Sequence, residues 1–284
     1  MKKQMVKWLD DSGFHRLAYY EWGEPTNSNI AICAHGLTRN GRDFDYLARS
    51  LQKDYRVICP DFPGRGQSDW LDIKNNYDYP YYLQAFTALI AQLNCKKIVW
   101  IGTSMGGLTG MLMASLPNTP ICKLVLNDIG PEIPATALAA IGEYVGKQPE
   151  FETLDALKQY LKVIHSGFGK LTEEQWQHLA EHSHRVLENG RITLGYDPDI
   201  AEPFKKLTGE EINLWPVWSA IHCPILVLRG TESPLLTEPT AKRMAERSQV
   251  TLIEFPETGH APALMSEEQI AVIQNWLETE PTAL

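Results

Sequence analysis

Short apolar runs rich in β-branched residues recur along this chain. Between them lie longer stretches in which apolar side chains return every three or four positions. Residues 30–33, 56–59, 97–101, 121–126, 225–228 and 250–255 read as buried strands. Residues 81–93 have helical spacing, with Leu83, Phe86, Leu89, Ile90 and Leu93 apolar, and 267–277 repeat the pattern with Ile270, Ile273 and Leu277. Strands alternating with helices predict an α/β chain. Its sheet is mostly parallel and covered by helices on both faces, with any ligand at the carboxyl ends of the strands.

The rhythm changes between Gly130 and about Pro216, where strand-like runs disappear. Residues 153–164 place Leu154, Leu157, Leu161 and Ile164 at helical spacing, and Thr172-Glu173-Glu174-Gln175 has the form of a capping box opening another helix. The pattern predicts a sheet domain made of 1–130 and 216–284, interrupted by a helical cap at 131–215. A cap of this kind excludes water and shapes a pocket.

With 284 residues, the chain is long enough for one large core with such an insertion. The formal net charge of −9 speaks against nucleic acid as a partner, since phosphate binding draws on concentrated Lys and Arg. Five cysteines, an odd number, lie mostly in or beside apolar runs and read as free thiols of a reducing compartment. The first ten residues lack the apolar stretch of a signal peptide, and no run approaches membrane-spanning length. A cytoplasmic protein without membrane insertion is expected. Oligomeric state is not encoded in these patterns.

The chemistry centres on Gly102-Thr103-Ser104-Met105-Gly106, which follows the apolar run at 97–101 and precedes a small-residue helical pattern. A strand, a sharp turn carrying Ser and then a helix form the context in which G-x-S-x-G marks a nucleophile. A Ser hydroxyl needs a base, and the base needs an orienting acid. His260 follows the last strand-like run, and Gly259 beside it is expected to permit an unusual backbone geometry that turns the ring inward. Acyl transfer also needs two backbone N–H groups aimed at the developing oxyanion. Met105, next to the nucleophile, supplies one, and Leu37, in the glycine-containing loop after the first buried run, is the candidate for the other. His35 reads as a structural hydrogen-bonder that fixes this loop.

Taken together, His35-Gly36-Leu37, Asp61-Phe62-Pro63-Gly64-Arg65-Gly66-Gln67-Ser68, Gly102-Thr103-Ser104-Met105-Gly106-Gly107 and Gly259-His260 resemble the α/β-hydrolase family, in that family's order along the chain. The resemblance covers nearly everything outside the cap. It implies the α/β-hydrolase fold, with an eight-stranded, mostly parallel sheet, Ser104 as nucleophile and His260 as base. The acid departs from the usual pattern. Pro234 stands about where the family places an Asp, and Glu232 lies two positions earlier. A second acid site occurs in the family after the strand that follows the nucleophile helix, and Asp128 occupies it here. Asp128 is the first candidate and Glu232 the second.

His178 and His182, four apart, could share a helix face with a metal, but no acidic helix partner completes a zinc motif, so a solvated face is expected. His165-Ser166-Gly167-Phe168-Gly169-Lys170 lacks phosphate-loop spacing and reads as a loop between cap helices. Trp70, Trp215 and Trp218 are candidates for pocket lining or for packing, and Glu210 and Glu211 for exposed charge. No cofactor and no metal are expected. The expected activity is hydrolysis of a small, partly apolar carboxylic ester through an acyl-enzyme. A thioesterase, a C–C bond hydrolase and a binding protein with a vestigial site are the alternatives.

Overall fold

The computed structural model describes residues 1–206, 209 and 211–279. A hairpin of β1 (Lys2–Asp10) and β2 (Gly13–Trp22) opens the chain. There follow β3 (Ile30–Ala34), α1 (Asp45–Leu51), β4 (Arg56–Pro60), α2 (Tyr79–Leu93), β5 (Ile98–Thr103), α3 (Met105–Ala114) and β6 (Ile121–Asn127). The next stretch holds β7 (Glu132–Ile133), α4 (Ala135–Tyr144), α5 (Leu154–Ile164), α6 (Glu173–His182), β8 (His184–Val186), β9 (Ile192–Leu194), β10 (Ile212–Asn213) and α7 (Trp215–Ser219). The chain then returns to β11 (Ile225–Gly230), α8 (Glu238–Met244), β12 (Val250–Phe255) and α9 (Glu267–Glu278).

Eight strands form one sheet in the order β1-β2-β4-β3-β5-β6-β11-β12. Only β2 runs against the rest, so the sheet is mostly parallel. Every strand predicted from the apolar runs is a member of it. The hairpin went unpredicted because β1 is exposed over its first four residues, Lys2 to Met5, and alternates only from there on, with Val6, Trp8 and Asp10 buried. Strand-like runs were also expected to be absent from 131 to 215. The structure corrects this with two two-stranded ribbons, β7–β10 and β8–β9, whose two or three residues are too short to carry a period.

The sheet's period of two sorts the core into two layers. Ile32, Trp100, Leu126 and Val227 point to the face covered by α2, α3 and the stretch between β6 and β11. Cys33, Ile101, Val125 and Leu228 point to the opposite face, covered by Leu47 and Leu51 of α1 and by Ile270, Ile273 and Leu277 of α9. The five cysteines are all free, and only Cys33 and Cys59 are fully buried. Trp218 is buried, while Trp70 lies at the surface. Glu211 is exposed, and Glu210 lies outside the described residues.

Chain order reverses at β3 and β5, because β4 lies on one side of β3 and β5 on the other. The carboxyl ends of these strands therefore open a crevice. The turn leaving β5 is tight. A Cβ on Gly102 would lie 2.4 Å from the Gly106 carbonyl oxygen, and one on Gly106 would lie 2.0 Å from that of Ala34. Strand and helix thus cross at backbone contact distance, which only glycine allows. Gly106→Ala is expected to lower the unfolding free energy by about 3 kcal/mol, through backbone displacement rather than lost contacts; urea titration measures it.

Candidate active site

Ser104 sits at the top of that turn with φ 51° and ψ −115°, a left-handed conformation that a non-glycine residue rarely holds. The strain lifts its hydroxyl off the end of the sheet. Ser104 Oγ is 2.9 Å from His260 Nε2, and His260 Nδ1 is 2.6 Å from Asp128 Oδ2. The three side chains come from loops after β5, β12 and β6, and the last of these strands lies directly beside β5.

Asp128 is fully buried and itself in the left-handed region, with φ 55°. A buried carboxylate needs donors. The Gly230 N–H donates to Oδ1 at 2.9 Å, the Ser233 hydroxyl donates to Oδ2, and the imidazole N–H approaches the same oxygen. Ser233 and Gly230 were not singled out from the sequence. Both belong to the loop after β11, where an acid was sought, and they hold the Asp128 carboxylate from the loop after the neighbouring strand. In that loop Glu232 and Pro234 are exposed. Among the described residues, Glu232 is engaged through its backbone N–H alone, which donates to Thr258 O at 2.9 Å.

The expected role of Gly259 needs correcting. It is not among the positive-φ glycines. Its value is close approach: a Cβ there would lie 3.1 Å from Gly167 Cα. The Gly259 N–H donates to Gly167 O at 2.9 Å and the Ala263 N–H to Phe168 O at 3.2 Å. The capping-box glutamine adds a third tie. Gln175 Oε1 accepts from the Thr172 N–H, and Gln175 Nε2 donates to Met265 O at 3.0 Å. The loop carrying His260 is therefore fastened to the stretch between β6 and β11. Residues 165–168, expected to be a loop between helices, form its anchoring turn.

Gly36 places the Leu37 loop beside Ser104, since a Cβ on Gly36 would sit 3.8 Å from Ser104 Cβ. Met105 opens α3, where the first N–H groups have no partner within the helix. His35 fixes the loop from below. Its Nδ1–H donates to Gly36 O at 2.7 Å and its Nε2 accepts from the Phe62 N–H at 2.9 Å, a tautomer assigned from these partners. Burial lowers its pKa from 6.5 to about 3. The folded state thus favours neutral His35, and unfolding takes up a proton between those two values. This contribution to stability is complete above about pH 6.5 and falls away as pH drops towards 3. His35→Gln keeps a donor and an acceptor. It is expected to flatten the pH dependence of unfolding free energy between about pH 6 and pH 4 by about 1.4 kcal/mol per unit, read from urea titrations at each pH.

Arg65, within the glycine-rich turn after β4, is fully buried. Its Nε–H donates to Leu37 O at 2.9 Å, NH1 donates to Pro63 O at 2.7 Å and to the Tyr82 hydroxyl at 2.9 Å, and NH2 points at Met105 Sδ at 3.7 Å. One guanidinium thereby braces both Leu37 and Met105. Sequence reasoning took that turn for a glycine motif and missed its arginine.

Two cavities flank Ser104, and Leu37 and Ile141 line both. The larger, about 290 Å³, is lined by Met105, Leu108, Ile129 and Leu138 among others and is mostly apolar. The smaller, about 100 Å³, contains His260, Arg39 and His165.

His178 and His182 do not form the expected solvated face. His178 Nε2 bonds to Arg42 O at 3.0 Å, its ring meets Tyr46 edge-on at 5.5 Å, and both histidines approach Asp45 of α1. The Asp45 carboxylate is already held by Arg42, through Nε–H at 2.8 and 2.9 Å to its two oxygens and through NH2 to Oδ2, so the cluster contains an ion pair.

With this geometry in place, likeness to known proteins becomes informative. The sequence profile described as "Alpha/beta hydrolase family" matches residues 31–272. A 3-hydroxybutyrate-oligomer hydrolase from Cupriavidus necator is 44% identical over 279 residues, covering 94% of each chain. A solved structure from Rickettsia typhi superposes with TM-score 0.93 at 37% identity, covering 99% of this chain and 100% of the other. An alpha/beta hydrolase structure from Novosphingobium aromaticivorans gives TM-score 0.86 at 38% identity, covering 97% and 98%.

Proposed function

The chain belongs to the alpha/beta hydrolase family, and from that premise we propose that it cleaves small, partly apolar carboxylic esters through an acyl-enzyme, with oligoesters of short 3-hydroxy acids as the substrate class. One observation carries the mechanism: the continuous contact from Ser104 Oγ through His260 to Asp128, at 2.9 and 2.6 Å, where two cavities meet.

Ser104 Oγ attacks the ester carbonyl while His260 Nε2 takes its proton. Asp128 accepts the Nδ1–H and stabilises the imidazolium. The N–H groups of Leu37 and Met105 receive the oxyanion, and Arg65 keeps both residues in place. The alcohol departs with the proton from His260. Water, activated by the same imidazole, then resolves the acyl-enzyme. The stretch 131–215 serves as the cap that shields these steps from bulk water. Free thiols fit a reducing, cytoplasmic setting, and among the described residues no helix is long and apolar enough to cross a membrane.

The substrate class is supported by the 44% identical relative's name and by the pairing of an apolar cavity with a polar one at the nucleophile. A thioester or a C–C bond beside a ketone would engage the same residues, so the test is comparative. Turnover is measured on 3-hydroxybutyrate dimers and trimers, simple aryl and alkyl esters, acyl thioesters and β-diketones. The expected result is highest kcat/KM on the hydroxy-acid oligoesters. Highest kcat/KM on a thioester or a diketone would replace this reading.

A further inference from the structure

Proton balance decides which half of an ester lies in which cavity. Oγ of Ser104 forms a bond to the carbonyl carbon and gives its proton to His260. Collapse of the tetrahedral intermediate breaks the bond to the alcohol oxygen, which takes that proton from His260 Nε2. The departing alcohol must therefore lie on the side of His260. His260 lines the smaller cavity and not the larger, whereas Met105, an oxyanion donor, lines the larger and not the smaller. The smaller cavity is thus the leaving-group lobe.

That lobe is lined by an ion pair, Arg39 with Asp43. The Arg39 side chain is only 6% exposed. Its Nε–H and NH2 donate to the two Asp43 oxygens at 2.8 and 2.7 Å, which occupies one edge of the guanidinium. NH1, on the other edge, has His165 Nε2 as its one hydrogen-bond partner among the described residues, at 3.4 Å. Burial, Arg39 and His260 together push His165 well below the ordinary imidazole range, so it is neutral and accepts from Arg39. Its ring is fixed by stacking on Phe168 at 4.4 Å. Asp43, which also lines the lobe, balances the charge of Arg39, and the ion pair turns the opposite edge of the guanidinium towards His165. A desolvated guanidinium N–H is a strong carboxylate donor. A short 3-hydroxy acid places its carboxylate a few bonds from the alcohol oxygen. A lobe of about 100 Å³ accommodates a fragment of that size.

We propose that Arg39, flanked by His165, forms a carboxylate-binding subsite for the leaving group, so that the enzyme selects esters whose departing alcohol bears a free acid. The proposal rests on the hydroxy-acid ester reading above and adds to it the end from which an oligomer is shortened. Cleavage occurs at the bond that releases one acid-terminated unit.

Calorimetric titration with 3-hydroxybutyrate and with the neutral 3-hydroxybutyramide tests the subsite without relying on turnover. Wild type is expected to bind the acid at least about tenfold more tightly than the amide. Arg39→Gln, checked for folding by circular dichroism, brings the ratio close to one. Arg39→Lys keeps the charge but loses the planar fork and falls between. Equal binding of acid and amide by wild type overturns the subsite, as does a ratio that survives in Arg39→Gln. Where Arg39→Gln does not fold, the wild-type ratio and Arg39→Lys decide. Should the acid be preferred while no hydroxy-acid oligoester is cleaved, the subsite stands and the substrate class falls.

Discussion

Replacing Ser104 with Ala is expected to lower kcat on every ester substrate by about a million-fold. The size follows from the arrangement, in which the residues act as a unit. Without Oγ there is no acyl-enzyme, and His260 and Asp128 have no nucleophile to serve. What survives is the contribution of the oxyanion donors and of binding, about 10³ to 10⁴ over the uncatalysed reaction. The variant should fold as well as wild type, because Ser and Ala meet the same steric penalty at φ 51°. A fluorophosphonate probe provides the direct check. It should label wild type and leave Ser104→Ala unmarked. Failure to label the folded wild-type enzyme would remove the activated serine from the mechanism.

Asp128→Asn is expected to cost about 10⁴ in kcat with little change in KM. The shape of the side chain is kept, but its hydrogen-bond character is not. Oδ1 can still accept from the Gly230 N–H, which leaves the amide NH₂ facing His260 Nδ1. Two donors cannot share that contact, so the ring shifts its proton to Nε2, the atom that must accept from Ser104. Turning the amide over only moves the conflict to Gly230. Glu232→Gln is the comparison. Its side chain is exposed and should leave kcat within about twofold. A collapse of activity in Glu232→Gln with an active Asp128→Asn would transfer the acid to the loop after β11.

How much of this was legible beforehand depended on whether a feature is local. The turn at Ser104 was legible because its steric demand is met by glycines two positions on either side of the nucleophile, a signal confined to five residues. The core strands were legible because both faces of the sheet are covered, which leaves continuous apolar runs in sequence. The β1–β2 hairpin was not, since much of β1 faces water and reads as an ordinary polar stretch. Spacing alone gives no ranking of Asp128 over Glu232; the ranking comes from the sheet order that the family resemblance implies. It turns on β6 lying between β5 and β11, a pairing of residues more than a hundred positions apart. Ser233 and Arg65 were missed for the same reason. Each earns its place through an atom on a distant segment, Asp128 Oδ2 in one case and Leu37 O in the other. Gly259 shows the opposite hazard. A plausible local reason, freedom of φ, stood in for the real one, contact with Gly167 across the molecule.

That contact has an outcome for turnover. The Gly259, Ala263 and Met265 backbone groups hang from Gly167, Phe168 and Gln175. Any displacement of Gly167, Phe168 or Gln175 would strain the hydrogen bonds that hold the segment carrying the imidazole. The aim of His260 is thereby tied to the position of the 167–175 stretch.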